Sequence, residues 1–256
     1  MSLEIKKEQL DWHGHKVNAL VFIPSFITSE SVGLFTHGYT SHKGSILNWA
    51  VRLCEEGMPC VLFDQPGHCL GSYSEVDSFE QFKEFAHELF KTSHDKLLSY
   101  LSVAPKKLVI GGHSLGALTS LFAIEKESFN EYEEVLAVCV GLGFPPEGVT
   151  HIFNSSFYKS TLNVRAQLVS PHLGPDSVFP WIKEAKRTFT FKNKTLCFLT
   201  GEDDLIVGKD GAERMSEFLE KLGNKVILEK PNKMPHHHPE VAAAHIKKIL
   251  KTQEYL

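Results

Sequence analysis

The chain has 256 residues, 42% of them hydrophobic and 23% charged, with a formal net charge of -4. That length suits one large domain with a substantial core, and the composition excludes a disordered or fibrous chain. The acidic balance, with lysines interleaved among acids, gives no reason to expect nucleic-acid binding.

In chain order, "IKKEQLDW" and "KVNALVFI" read as two strands of an antiparallel hairpin turning at His13-Gly14-His15. "SVGLFTHG" is a strand ending in a loop, and Ile46, Ala50, Leu53 and Cys54 recur at helical spacing between Ser45 and Glu56. "PCVLFD" is the next strand. In "SFEQFKEFAHELFKTSHDKLLSYL" the residues Phe82, Phe85, Ala86, Leu89, Phe90, Leu97 and Leu98 form one broad apolar face, which predicts one long helix. "KKLVIGG" is a strand, "LGALTSLFAIEKE" its following helix, and "EVLAVCVGLG" a strand whose apolar residues do not alternate, as expected when both faces are covered. "KTLCFLTG" and "NKVILEK" are two further strands around a helix at Gly211 to Leu222, and a closing helix runs from about Pro239 to Leu250. The repeated strand, crossover helix and strand predict an α/β domain with a mostly parallel sheet flanked by helices.

Residues 144-193, rich in proline and aromatics and without a core-type strand, break this rhythm. So long a loop without structure is improbable in a compact domain, so a cap or lid insertion with helices of its own is expected within the single domain 1-256. Its residues Phe153, Phe157, Tyr158, Leu162, Phe179 and Trp181 are expected to line an apolar pocket and favour an uncharged acyl group.

No apolar run approaches the roughly 20 residues of a membrane-spanning helix. The amino terminus has no continuous hydrophobic region after its charges, so no membrane span and a cytoplasmic location are expected. Cys54, Cys60, Cys69, Cys139 and Cys197 are an odd, widely spaced set without a C-x-x-C pair, and read as core residues rather than a disulfide or zinc framework. Oligomeric state is left open.

The chemistry gathers in three stretches. Gly112 and Gly116 flank Ser114 at G-x-S-x-G spacing, between a strand and a helix. A serine hydroxyl is a poor nucleophile unless a base takes its proton and a third group orients that base. Carboxylates stand after a later strand in "GEDDLIVG" (Glu202, Asp203, Asp204), and histidines before the last helix in "PNKMPHHHPEV" (His236, His237, His238). Three consecutive histidines cannot readily close round one ion, and no second cluster completes a ligand set, so no metal is expected. No dinucleotide signature occurs, and no cofactor is expected.

The ordered pieces "FTHGYTSHK", "DQPGHCLGS", "GGHSLGA", "TGEDDLIV" and "MPHHHPE" resemble the α/β-hydrolase superfamily over essentially the whole length. The resemblance implies a serine esterase or lipase-like enzyme with Ser114 as nucleophile. It implies Asp204 as the acid, counting from Gly201, with Asp203 the alternative, and His236 as the base, with His237 the alternative. Backbone N-H groups of Tyr39 and Leu115 would form the oxyanion hole. The implied substrate is a small-molecule carboxylic ester. A thioesterase, an amidase or peptidase, and an acyltransferase would use the same triad, and a non-catalytic ligand-binding protein on the same fold is the rival of another class.

Overall fold

The computed structural model describes residues 3-146 and 156-256. Its centre is an eight-stranded sheet in the order β1-β2-β4-β3-β5-β6-β7-β8. The hairpin β1 (Leu3–Trp12) and β2 (His15–Pro24) pairs antiparallel from Leu3 opposite Pro24 to Trp12 opposite His15. Both turn residues have positive φ, 47° at His13 and 84° at Gly14, as a two-residue turn matched to strand twist requires. β2 runs antiparallel to β4 (Cys60–Phe63), and from β4 through β3 (Ser31–Thr36), β5 (Lys107–His113), β6 (Glu134–Val140), β7 (Thr195–Leu199) and β8 (Lys225–Glu229) every pairing is parallel.

Every residue of β3 and β4 is buried, because helices cover both faces. On one face lie α1 (Leu47–Cys54) and α8 (Ala242–Thr252), whose Trp49, Leu53, Ile246 and Leu250 pack with Phe35, Leu62 and Val109. On the other lie α2 (Phe79–Phe85), α3 (Glu88–Leu98), α4 (Leu115–Lys126) and α7 (Gly211–Lys221), contributing Phe82, Phe90, Leu118 and Met215 to a second core. All five cysteines are free, four of them buried and Cys69 partly so.

The long helix expected from Phe82 to Leu98 is broken into α2 and α3. Trp12 Nε1 donates to the Phe85 carbonyl at 2.9 Å, engaging the acceptor that a continuous helix would offer to the amide of Leu89. The His13 ring also packs on Phe85, with centroids 4.5 Å apart. The hairpin turn thus redirects a segment whose apolar pattern alone reads as continuous.

Between β6 and β7 the described part of the insertion holds α5 (Ser156–Ala166), a 3-10 turn (Pro171–Leu173) and α6 (Pro175–Ala185). It is fastened to the loop after β4 by Cys69 N-H to Leu168 O at 2.9 Å and Ser170 N-H to Gly67 O at 2.7 Å. It reaches the loop after β3 through Tyr39 O-H to Leu173 O at 2.7 Å and Arg165 Nη1 to Thr40 Oγ1 at 2.9 Å. Phe153 lies outside the described residues, as do the side chains of Phe157 and Tyr158. Trp181 departs from the pocket-lining expectation. It stacks on Phe122 at 6.2 Å and meets Phe79 and Phe82 edge-on at 6.0 Å, so it anchors α6 to α2 and α4.

Candidate active site

Ser114 sits between β5 and α4 at φ 51° and ψ -109°, a conformation a side-chain-bearing residue adopts only under constraint. Its amide donates to Val140 O at 2.8 Å and its carbonyl accepts from Leu118 N-H at 3.1 Å, so strand and helix hold it from both sides. The flanking glycines permit the sharp turn. A Cβ on Gly112 would stand 2.5 Å from Thr36 O, and one on Gly116 2.5 Å from Thr36 O and 2.6 Å from His37 O. The elbow therefore lies directly against the end of β3.

Two loops bring partners to the hydroxyl. His236 Nε2 is 3.2 Å from Ser114 Oγ, and His236 Nδ1 is 2.8 Å from Asp204 Oδ2. The other oxygen of Asp204 accepts from the amides of Ile206 and Val207, each at 2.9 Å, so the buried carboxylate is held rigidly. With Nδ1-H donated to Asp204, Nε2 is the acceptor facing the serine hydroxyl. Asp203 does something else: its Oδ1 accepts from the Met234 amide at 2.8 Å and ties the acid loop to the chain entering His236. His237 is exposed and stands edge-on to His236 at 5.7 Å, while His238 pairs with Glu240 at 3.0 Å.

The first amides of α4, beginning at Leu115, precede its first backbone bond and lie beside Ser114. Tyr39 follows Gly38 in the loop after β3, and both line the cavity at Ser114. The Tyr39 ring is fixed by its bond to Leu173 and by an edge contact with Phe179 at 5.3 Å.

Buried histidines and an aspartate brace these loops. His37 is fully buried, with Nδ1 donating to Gly38 O at 2.8 Å and Nε2 accepting from the Gln65 amide at 3.0 Å. That pattern defines a neutral imidazole, and burial pushes its pKa down to about 3. His68 is likewise driven to about 3 by burial. Burial also lowers the pKa of His113, whose ring packs on His236 with centroids 4.8 Å apart. Asp64 accepts from the Lys43 amide at 2.8 Å, Lys43 Nζ at 2.7 Å and Ser72 Oγ at 3.0 Å, locking the loops after β3 and β4 together.

Ser114 opens onto two cavities. A smaller one of about 250 Å³ is lined by polar groups including Thr40, Ser45, Arg165 and His237. A larger one of about 720 Å³ is lined largely by the insertion, with Leu162, Pro175, Phe179, Ile182 and Lys186 among its walls. Tyr39, Ser114, Phe179, Ile206 and His236 border both. Arg165 and Lys186 carry no sequence motif, and only the position of the insertion could have drawn attention to them. Among the described residues no group of three or more His, Cys, Asp and Glu side chains is arranged to hold a metal, and no helix is long and apolar enough to cross a membrane.

A family profile described as "Serine aminopeptidase, S33" matches residues 29-149. No curated protein matches the chain. Among solved structures, a lipase in an open form superposes with a TM-score of 0.66 at 16% identity, over 98% of this chain and 97% of that one. An esterase of Pyrococcus furiosus superposes with a TM-score of 0.70 at 16% identity, over 98% and 91% of the two chains. The thioesterase domain from the curacin biosynthetic pathway gives 0.62 at 13% identity, over 97% and 99%. At these identities the likeness is one of fold.

Proposed function

We propose that the chain is a serine hydrolase of the α/β-hydrolase superfamily, whose fold it shares, and that it cleaves a carboxylic ester through an acyl-serine intermediate. One observation carries this reading: the unbroken relay from Asp204 Oδ2 through His236 to Ser114 Oγ, at 2.8 and 3.2 Å, with the serine held on a strained elbow where two cavities meet. A serine kept for packing needs neither the positive φ nor the aligned imidazole.

In the proposed reaction Ser114 Oγ attacks the ester carbonyl while His236 Nε2 takes its proton. Asp204 holds the tautomer and stabilises the imidazolium without accepting the proton. The amides of Tyr39 and Leu115 donate to the oxyanion; losing one such donor typically costs about 2.7-4 kcal/mol of transition-state stabilisation. His236 then gives its proton to the leaving alcohol, and a water activated by the same imidazole releases the acid. The larger cavity takes the acyl group and the smaller, polar one the alcohol, with the insertion at 144-193 acting as the cap that sets acyl size.

The test is fluorophosphonate labelling followed by hydrolysis of matched ester, thioester and amide substrates, with Ser114→Ala as the blank. The expected result is one label, on Ser114, and ester cleavage that the blank lacks. The amide arm includes aminoacyl substrates, the class suggested by the description of the matching family profile. Well-folded protein that neither labels nor turns over any substrate would mark a ligand-binding protein on this fold.

A further inference from the structure

The larger cavity has the mainly apolar walls that the insertion suggests, but it also carries charges that the aromatic pattern does not reveal. Leu162 and Phe179 do line it, but so do Lys159, Lys183 and Lys186, against the carboxylates of Asp176 and Glu184. Lys186 caps the carboxyl end of α6 and is partly buried. Its ammonium donates to Gly143 O at 2.6 Å, and it forms no ion pair among the described residues. An ammonium has three donors, so a desolvated one with one carbonyl partner among the described residues has further hydrogen-bonding capacity to offer a ligand.

Resting on the hydrolase reading above, we propose that the acyl part of the substrate carries a carboxylate remote from the ester, and that Lys186 in the larger cavity binds it. A single lysine presents a point charge rather than the planar fork that suits bidentate phosphate recognition. Among the described charged residues of the lining, Lys159, Asp176, Lys183 and Glu184 are exposed and Lys186 is the one partly withdrawn from solvent, so a single carboxylate is the charge it would pair with. The aliphatic and aromatic residues that line the same cavity, among them Leu162, Phe179, Ile182 and Ile206, then accommodate the methylenes that join ester to carboxylate.

The charge state is consistent with this role. Desolvation lowers the Lys186 pKa to about 8, opposed by attraction from Asp204, so the group stays mostly protonated at pH 7 and loses its proton as the pH rises through about 8. Among the described residues, the charged and titratable groups at the cavity are Lys159 on α5, Asp176, Lys183 and Glu184 on α6, Tyr39 and His236, with Asp204 on the loop after β7 acting on Lys186 from beside it. A bound carboxylate adds attraction of the same sign as that of Asp204 and holds the proton to higher pH.

The experiment compares monomethyl adipate, dimethyl adipate and methyl hexanoate, following acid release by chromatography at pH 7. The wild-type protein is expected to prefer the monoanionic half ester to methyl hexanoate by about ten- to a hundredfold in kcat/KM, the range of one charge-assisted hydrogen bond. Lys186→Met should bring that ratio to about one or below, chiefly through KM on the half ester, and Lys186→Arg should retain part of it. Should Lys186→Met fail to fold, the wild-type ratio measured from pH 7 to 9.5 replaces it, and it should fall as the lysine deprotonates. Labelling of Ser114 with equal rates on half ester and hexanoate, or a ratio indifferent to Lys186 and to pH, overturns the inference and leaves the hydrolase reading standing. Absence of both labelling and turnover overturns the hydrolase reading and the inference with it.

Discussion

Asp203 Oδ1 accepts a hydrogen bond from the amide of Met234 at 2.8 Å, while the adjacent Asp204 turns its carboxylate to His236 at 2.8 Å. Neighbouring acids on one loop therefore have separate tasks, one fixing the path of the chain and the other facing the imidazole. Under the proposed mechanism Asp204→Asn should lower kcat by up to about 10⁴-fold, the scale known for a triad acid that sets the tautomer. Asp203→Asn should lower it by far less, and loosen the 231-238 loop. Steady-state kinetics of the two variants, with hydrogen exchange at Met234, checks the division of labour; equal losses would contradict it.

The elbow has no room for a methyl group. In Gly116→Ala the new Cβ would meet the Thr36 and His37 carbonyls at 2.5 and 2.6 Å, backbone atoms that cannot rotate away. The expected outcome is destabilisation of about 1-3 kcal/mol or more, typical of overpacking, together with loss of phosphonate labelling as Ser114 shifts. Denaturant unfolding and labelling of the same sample measure both.

Phe179 and Trp181 share a helix but face different surroundings. Phe179 borders both cavities and touches Tyr39, so Phe179→Ala should shift the acyl-length optimum by lengthening the accessible space. Trp181 packs on Phe79, Phe82 and Phe122, and Trp181→Ala should cost about 2 kcal/mol of stability, below the roughly 3-5 kcal/mol of a fully buried large aromatic. Thermal melts and an acyl-length series on both variants separate the effects, and an unchanged length profile in Phe179→Ala would remove the insertion from substrate selection.

Acid should unfold the protein partly through its buried histidines. His37 and His68 have folded pKa values near 3, against an ordinary value of 6.5, so the unfolded chain takes up protons that the folded chain refuses. Their contribution to stability is complete above about pH 6.5 and declines as the pH falls towards 3. The melting temperature should fall over that window, and His68→Asn should reduce the proton uptake on unfolding at pH 4.5 by close to one. An unchanged uptake would show that His68 is protonated in the folded state.

The sheet, the serine elbow and the order of the chemical groups were legible in the sequence because each depends on local pattern. Non-alternating apolar runs such as "VLAVCV" mark strands covered on both faces, and glycines on either side of Ser114 mark a turn that tolerates no Cβ. What local pattern could not supply was anything decided by contacts between distant segments. The apolar stripe from Phe82 to Leu98 continues through Ala86, yet the indole of Trp12, 73 residues away, engages the Phe85 carbonyl and ends the helix. The aromatics of the insertion are alike in sequence, but neighbours on α2 and α4 turn Trp181 into an anchor while the loop after β3 draws Phe179 to the cavity. "EDD" and "HHH" are ambiguous as strings, and loop geometry alone directs Asp204 and His236 to one another and Asp203 to a backbone amide. Lys186 reads as one lysine among many, and only burial beside the cavity at Ser114 sets it apart, since desolvation depends on what the rest of the chain packs around a charge.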